Sequence, residues 1–262
     1  MPAAEAFRHS TPELYDRFMG PLFFEPYARF IAERAAQFRP ASVLETAAGT
    51  GILTRALLGA VPEAEMVATD LSPAMLDYAA QRIDSDRVTF QRADAQQLPF
   101  DDSSFDLVVC QFGVMFFPDK VGAAGESRRV LKPSGRFVFV TFDSLDRNPV
   151  PAAAGEAVAS LFSEHPRYME RGPFSYSDIG RIRSDLSAAG FTEVDVETVE
   201  LRTRVTARDA AQGIVLGSPF RGEIEKLGPD ALERALEAVV EALAPWDAND
   251  APLSAHVVTA TG

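Results

Sequence analysis

Cysteine is almost absent from this sequence, with Cys110 as the only one in 262 residues. A single thiol excludes an internal disulfide and a cysteine-rich zinc site. No third ligand accompanies the carboxylate pairs Asp101 and Asp102 or Asp143 and Asp146, so we expect no bound metal. Apolar runs of membrane-spanning length and an N-terminal signal pattern are also missing, and these absences predict a cytoplasmic protein.

Basic residues are too few to balance the acidic ones. Lys plus Arg number 25 against 38 Asp plus Glu, which gives a net charge of -13. A surface of this sign repels polyanions, so we expect neither nucleic acid nor an anionic membrane as a partner. Hydrophobic residues make up 47% of the chain, enough for one substantial core, and we expect a single domain. The sequence carries no signal of an oligomeric state.

Short β-rich runs alternate with helical ones, a pattern typical of βαβ units around a parallel sheet. We therefore predict an α/β fold with a mostly parallel, seven-stranded sheet flanked by helices. The predicted strands are 42–46, 65–70, 88–92, 105–111, 135–142, 191–204 and 256–261. The predicted helices are 51–58, 73–83 with Ser72 as N-cap, 119–131, 177–189 with Ser177 as N-cap, and 208–243, the last forming an insert before the final strand. An aromatic-rich segment, 11–38, predicts an interrupted amphipathic helix at the N-terminus.

A glycine turn follows the first predicted strand. Residues 43–54 run from that strand through Gly49 and Gly51 into a helix. At the carboxyl end of a strand, glycine lets the backbone approach a ligand, and the helix start offers N–H groups to an anion. A dinucleotide-binding turn would need a third small residue where Thr54 stands. This spacing makes a nicotinamide-dependent oxidoreductase the less favoured alternative.

The segment Glu45-x-Ala47-x-Gly49-x-Gly51 resembles the first motif of the class I S-adenosylmethionine-dependent methyltransferases, in particular the ubiquinone and menaquinone biosynthesis group. Residues 66–76, 92–100, 105–112 and 126–137 resemble the later motifs of the family in the same order. Ala47 departs from the family's usual glycine. The resemblance implies a Rossmann-like fold, S-adenosyl-L-methionine as cofactor, S-adenosyl-L-homocysteine as product, and methyl transfer to a small-molecule acceptor. A protein that binds the cofactor without catalysis is the alternative.

The resemblance also implies roles for individual residues. Asp70 would accept hydrogen bonds from the ribose hydroxyls, and Asp94 and Ala95 would meet the adenine. Gln111 and Phe112, at the end of the fourth strand, would lie beside the sulfonium. The predicted cofactor-binding residues are Glu45, Thr46, Ala47, Gly49, Gly51, Asp70, Leu71, Met75, Asp94, Ala95, Gln96, Gln111 and Phe112.

Aromatic side chains near the N-terminus and after the fourth strand are candidates for the acceptor site. Apolar walls exclude water, which suits a neutral or cationic acceptor with an apolar body. Core packing of the same side chains is the competing interpretation. The predicted acceptor residues are Tyr15, Phe18, Met19, Phe112 and Phe116.

No catalytic residue is predicted, because the cofactor's methyl is already activated and alignment can suffice. A base is needed only for an acceptor that must lose a proton, and His165 ranks first among weak candidates ahead of His9 and His256. Within one domain, 1–262, we predict an N-terminal helical cap (1–39), a cofactor-binding core (40–143), and a lid with substrate-side helices and the last strands (144–262).

Overall fold

The computed structural model describes residues 12–162 and 167–262; His9 and His165 lie outside these ranges. The strands are β1 (Ser42–Thr46), β2 (Glu65–Asp70), β3 (Val88–Arg92), β4 (Phe105–Gln111), β5 (Leu131–Phe142), β6 (Glu193–Arg204) and β7 (Asp250–Thr261). The helices are α1 (Glu25–Phe38), α2 (Ile52–Ala60), α3 (Pro73–Ala80), α4 (Lys120–Val130), α5 (Pro149–Leu161), α6 (Tyr168–Arg171), α7 (Ile179–Ala188), α8 (Ala207–Leu216), α9 (Phe220–Glu225) and α10 (Ala231–Ala242). A helical turn, Pro12–Leu14, and a π-helix, Tyr15–Phe24, precede α1. None of the helices in the described ranges has the length and apolar character needed to cross a membrane.

The sheet has the strand order β3-β2-β1-β4-β5-β7-β6. Strands β1 to β5 run parallel, whereas β7 lies antiparallel between β5 and β6. The winding of the chain reverses between β1 and β4, and the crevice at the carboxyl ends of these strands is where open α/β sheets bind ligands. The predicted seven-stranded α/β fold, with its N-terminal helical segment and its helical insert before the last strand, is confirmed.

The first four strands have the boundaries that the sequence predicts. The last strand was predicted too short, because β7 begins at Asp250 and not at residue 256. Its additional residues, 250–255, pair with the second half of β6, from Arg204 opposite Asp250 to Val199 opposite Ala255. The sequence pattern did not predict residues 250–255 as strand because Pro252 lacks the amide that donates to a neighbouring strand.

The predicted helix 208–243 is in fact three helices, α8, α9 and α10. Each of the two interruptions contains a glycine followed by a proline: Gly217 and Pro219 between α8 and α9, and Gly228 and Pro229 between α9 and α10. Proline cannot continue a helix because it lacks the backbone donor and clashes with the preceding turn. The insert therefore folds back on itself instead of extending as one rod.

Helix starts also differ from the prediction. Ser177 does not cap α7; the Asp178 side chain accepts the Arg181 N–H at 2.7 Å and is the N-cap. Ser72 holds the N-cap position of α3, but its side chain makes no capping hydrogen bond. The backbone N–H of Ser72 instead donates to Asp70, which brings that carboxylate into the site described below.

Helix α1 fixes the N-terminal segment to the sheet. Its buried residues recur at helical spacing: Tyr27, Ala28, Ile31, Ala32 and Ala35. The Tyr27 hydroxyl donates to the backbone oxygens of Val199 at 2.6 Å and Leu253 at 2.9 Å, in β6 and β7. At the other end, Gln111 Nε2 donates to Phe24 O at 3.1 Å. The π-helix is thereby held against the carboxyl end of β4.

Candidate functional site

The turn after β1 is built from left-handed backbone conformations. Ala47, Gly49 and Gly51 have φ angles of 54°, 57° and 78°. A Cβ on Gly51 would lie 2.7 Å from Ile83 Cδ1, so this glycine permits close packing against α3 and the residues after it, and it lines neither of the two cavities that the other residues of the turn line. Ala47 adopts the conformation of the glycine it replaces, at the cost of strain that non-glycine residues carry there.

Glu45 is a buried carboxyl beneath this turn. Its side chain is 3% exposed and accepts a 2.6 Å hydrogen bond from Thr54 Oγ1. Burial raises the pKa of Glu45 from its ordinary 4.5 to about 8. Thr54, the residue that disfavours a dinucleotide site, therefore supports Glu45, a role that sequence reasoning missed. Thr46 is also buried and lines no cavity.

Asp70 joins the turns that follow β1 and β2. Its carboxylate accepts the Gly49 N–H and the Ser72 N–H, each at 2.8 Å. Burial raises its pKa, while these two hydrogen bonds act in the opposite direction. A carboxylate has about four acceptor positions, so the carboxylate can still accept from a ligand.

The turn after β3 is closed by Asp94 and Gln96. Asp94 Oδ1 accepts the Gln96 backbone N–H at 2.9 Å and its side-chain N–H at 3.1 Å. Gln96 Oε1 accepts the Asp119 N–H at 2.9 Å, at the start of α4. The turn is therefore attached to the helix that follows β4.

The end of β4 carries Gln111 and Phe112. Gln111 Oε1 is buried and accepts no hydrogen bond from the residues that the structure describes, and the same holds for Thr50 Oγ1. Phe112 has a left-handed φ of 51°, which turns its ring onto Phe142 at a centroid distance of 4.2 Å. Unsatisfied buried atoms and non-glycine left-handed residues are typical of ligand sites.

These turns enclose a polar cleft of about 990 Å³. Its lining residues are Tyr15, Ala47, Gly49, Asp70, Leu71, Ser72, Met75, Ala93, Asp94, Ala95, Gln96, Gln111, Phe112, Gly113, Phe116, Phe117 and Pro118. All predicted cofactor residues except Glu45, Thr46 and Gly51 are among them. Glu45 lines a smaller adjoining cavity of about 310 Å³, which Tyr15, Gly49 and Gln111 also line.

A second, apolar cavity of about 520 Å³ adjoins the polar cleft. Its lining residues are Tyr15, Met19, Phe23, Phe24, Phe112, Met115, Phe116, Phe142, Pro151, Tyr168, Met169, Pro173, Phe174, Ile214, Ser218 and Pro219. The two cavities share Tyr15, Phe112 and Phe116. Sequence reasoning missed the walls from α5, α6 and the 172–176 segment, because no motif places these elements in space.

The structure corrects the prediction for Phe18. This ring is 7% exposed and packs on α8, where a Cβ on Gly213 would lie 3.1 Å from Phe18 Cβ. In a π-helix, residues four or five apart share a face, so Tyr15 and Met19 point to the cavity and Phe18 points away. Phe18 is a packing residue.

The apolar cavity has no acid, amine or imidazole among its described lining residues. Burial raises the pKa of the Tyr15 and Tyr168 hydroxyls far above neutrality, so neither can act as a base. His256 is buried between β6 and Ser177, with Nε2 3.0 Å from Ser177 O, and lines neither cavity. Burial also raises the pKa of Cys110 to about 12, which makes this thiol inert.

Comparisons with known proteins agree with this geometry. A family model described as "Methyltransferase domain" matches residues 44–139. Demethylmenaquinone methyltransferase of Deinococcus radiodurans is 32% identical over 63% of this chain and 73% of its own. The ubiquinone/menaquinone biosynthesis C-methyltransferase UbiE of Hahella chejuensis is 33% identical over 63% and 72%. In fold, the chain is similar to phosphoethanolamine N-methyltransferase 2 of Haemonchus contortus, with a TM-score of 0.63, 17% identity, and coverage of 100% of this chain and 60% of that one.

The chain belongs to the class I S-adenosylmethionine-dependent methyltransferases. It is an enzyme that transfers the methyl group of S-adenosyl-L-methionine to a small-molecule acceptor and leaves S-adenosyl-L-homocysteine. The predictions of family, cofactor and reaction are therefore confirmed, and the oxidoreductase alternative is excluded.

Proposed function

We propose that the polar cleft binds S-adenosylmethionine and that the apolar cavity binds an uncharged acceptor with a flat apolar body. The observation that carries this proposal is the wall shared by the two cavities, formed by Tyr15, Phe112 and Phe116. A methyl group must pass between donor and acceptor at near-attack distance, so the two sites must meet. They meet at the carboxyl end of β4.

The residues of the polar cleft fit the cofactor group by group. Asp94 and Ala95 offer a carboxylate and a backbone N–H to the adenine, and the remaining acceptor capacity of Asp70 suits the ribose hydroxyls. The amino-acid end of the cofactor carries an ammonium group. Gln111 Oε1, buried without a partner among the described residues, and the Glu45 carboxyl would accept its hydrogen bonds.

The cofactor supplies a methyl group already activated on a sulfonium. The chain's own part in the reaction is to align, to exclude water and to stabilise charge. The faces of Tyr15, Phe112 and Phe116 suit a neighbouring cation through their ring quadrupoles. Apolar walls remove solvent from the nucleophile, which favours a displacement in which charge disappears.

The acceptor class follows from what lines the apolar cavity. No arginine or lysine of the described residues faces it, so a phosphate or carboxylate on the acceptor would be buried without a counter-charge. No described side chain there can take a proton either, so the acceptor must carry an acidic hydroxyl or a nucleophile that needs no base. The relatives above are named for demethylmenaquinone and for ubiquinone and menaquinone biosynthesis. Hydroxylated aromatic rings of the quinol type are therefore the acceptors that we propose.

We further propose that three consecutive segments of the chain have different functions. Residues 40–143 hold the cofactor, residues 12–39 of the N-terminal segment cap the site, and residues 144–162 and 167–262 supply the outer acceptor wall and the last strands. Tyr15 and Met19 of the N-terminal cap line the apolar cavity, and so do Tyr168 and Phe174 of the C-terminal segment.

The test is a methylation screen with labelled S-adenosylmethionine, read as a product mass increased by one methyl. We expect hydroquinones and naphthols to be methylated and phosphoethanolamine to be inert. Phe174→Ala should alter acceptor affinity without changing S-adenosylhomocysteine binding, and Phe18→Leu serves as the control outside the cavity. Efficient methylation of a phosphorylated amine or of a nucleic acid, with the quinols inert, would overturn the proposed acceptor class.

A further inference from the structure

Glu126 and Arg129 lie one turn apart on α4 and form a paired hydrogen-bond unit. Arg129 Nε donates to Glu126 Oε1 at 2.8 Å, and Arg129 Nη2 donates to Glu126 Oε2 at 2.9 Å. Arg129 holds the pKa of the Glu126 carboxyl below its usual range. Neither residue lines the polar cleft or the apolar cavity. Their role must therefore lie in what else they contact.

Their remaining side-chain hydrogen bonds go to residues 98–102, the loop that follows the turn at residues 94–97, which we call the adenine turn. Glu126 Oε2 accepts the Leu98 N–H at 2.8 Å, and Arg129 Nη2 donates to Leu98 O at 2.9 Å. Arg129 Nη1 donates to Phe100 O at 2.7 Å and to the Asp102 carboxylate at 2.8 Å. Two side chains thus satisfy both backbone polar groups of Leu98, which a loop outside regular structure cannot satisfy by itself.

Leu98 follows directly on the turn that closes the cleft. The Gln97 N–H donates to Asp94 O at 3.0 Å, and Gln96 Oε1 accepts the Asp119 N–H at 2.9 Å. Helix α4 therefore holds this part of the chain at two places, at its N-cap Asp119 and about two to three turns later at Glu126 and Arg129. Asp94 and Ala95, which come directly before both attachments in the chain, line the cleft.

We propose that Glu126 and Arg129 are positioning residues that fix the adenine turn and thereby set the affinity and the base selectivity of the cofactor site. This inference rests on the proposed placement of adenine at Asp94 and Ala95. The planar fork of Arg129 donates to two carboxylates, Glu126 and Asp102, and to two backbone carbonyls at once. Lysine has the charge but not the fork, so it cannot reproduce the arrangement.

The experiment compares two ligands by calorimetry: S-adenosylhomocysteine and its inosine analogue, in which a carbonyl replaces the adenine amino group. The native protein should prefer the adenine ligand, because Asp94 accepts from an amino group and repels a carbonyl. Arg129→Met and Arg129→Lys should weaken binding of S-adenosylhomocysteine about tenfold and shrink the preference between the two ligands. Acceptor KM should not change. Arg128→Met, on the neighbouring exposed residue, is the matched control and should keep both affinities.

The outcomes test separately the placement of adenine and the positioning role of Glu126 and Arg129. A native protein that binds both ligands equally would refute the adenine placement itself. A native preference that persists unchanged in folded Arg129→Met would overturn the positioning role. If circular dichroism shows that Arg129→Met does not fold, Glu126→Gln replaces it, since that variant keeps the shape but weakens the pairing. Loss of the preference in Glu126→Gln or Arg129→Lys at a native melting temperature supports the proposal.

Discussion

Replacing Glu45 by glutamine isolates the effect of one buried charge. Glutamine has nearly the same shape and can still accept the hydrogen bond that Thr54 donates at 2.6 Å. The variant differs from the native protein only in that it cannot ionise. Because the native pKa of Glu45 is raised from 4.5 to about 8, the carboxyl is mostly neutral at pH 7 in the cofactor-free protein.

The sign of the stability effect follows from the raised pKa. The folded state holds the Glu45 proton more tightly than the unfolded chain, so the stability it contributes is complete below about pH 4.5 and is lost as the pH rises through about 8. Over that window the unfolding free energy of the native protein should fall relative to Glu45→Gln by about 1.4 kcal/mol per pH unit, to a limit of about 5 kcal/mol.

Urea unfolding of both proteins at pH 5, 6, 7 and 8 measures this difference directly. Calorimetry in two buffers of different ionisation enthalpy adds a second readout. A ligand ammonium beside Glu45 favours the carboxylate, so binding of S-adenosylhomocysteine at pH 7 should release about one proton from the native protein and less from the variant. Parallel stability curves together with equal proton release would refute the reasoning.

Three further predictions concern the cleft and its walls. Asp70→Ala should weaken S-adenosylhomocysteine binding about ten- to a hundredfold, since it removes charge-assisted hydrogen bonds, and an unchanged Kd in a folded variant would remove Asp70 from the site. Tyr15→Ala should lower turnover, whereas Phe18→Ala should lower the free energy of unfolding by about 3 kcal/mol and keep the turnover per folded enzyme. Lost turnover in folded Phe18→Ala, with native turnover in Tyr15→Ala, would contradict the assignment of Tyr15 to the cavity and of Phe18 to packing. Gly113→Ala should destabilise by about 1 to 3 kcal/mol, because its Cβ would lie 2.6 Å from Ala47 Cβ, and adding Ala47→Gly should recover part of the loss. Additive effects of these two changes in urea unfolding would argue against the contact.

Strands β1 to β4 were predictable because each is a short run that contains β-branched or aromatic residues and ends in a turn, whereas β5 begins at Leu131, four residues before its predicted start. The antiparallel half of the sheet was less predictable, since the first residues of β7 contain Pro252 and gain their strand conformation from pairing with Leu201 to Arg204. The breaks in 208–243 had a visible signal in Pro219 and Pro229. The helical periodicity on either side of these prolines nevertheless led to the prediction of one continuous helix.

The cofactor side of the site was readable from sequence because its residues follow consecutive strands and are brought together by topology alone. Asp70 and Asp94 are of this kind. The acceptor side was not, since Tyr168 and Phe174 reach the cavity through packing of segments that have no motif. Phe18 shows the same limit: its direction depends on the π-helix geometry, which an aromatic pattern does not specify.

The insert between β6 and β7 leaves and rejoins the sheet at neighbouring positions, because Arg204 and Asp250 are paired and Ala248 N–H donates to Val205 O. A loop whose ends are already adjacent can change in length or content at little entropic cost to the rest of the fold. Ile214, Ser218 and Pro219 bring this loop to the apolar cavity. A swap of residues 205–249 between relatives would therefore change part of the wall of the apolar cavity while strands β1 to β5 keep their connections.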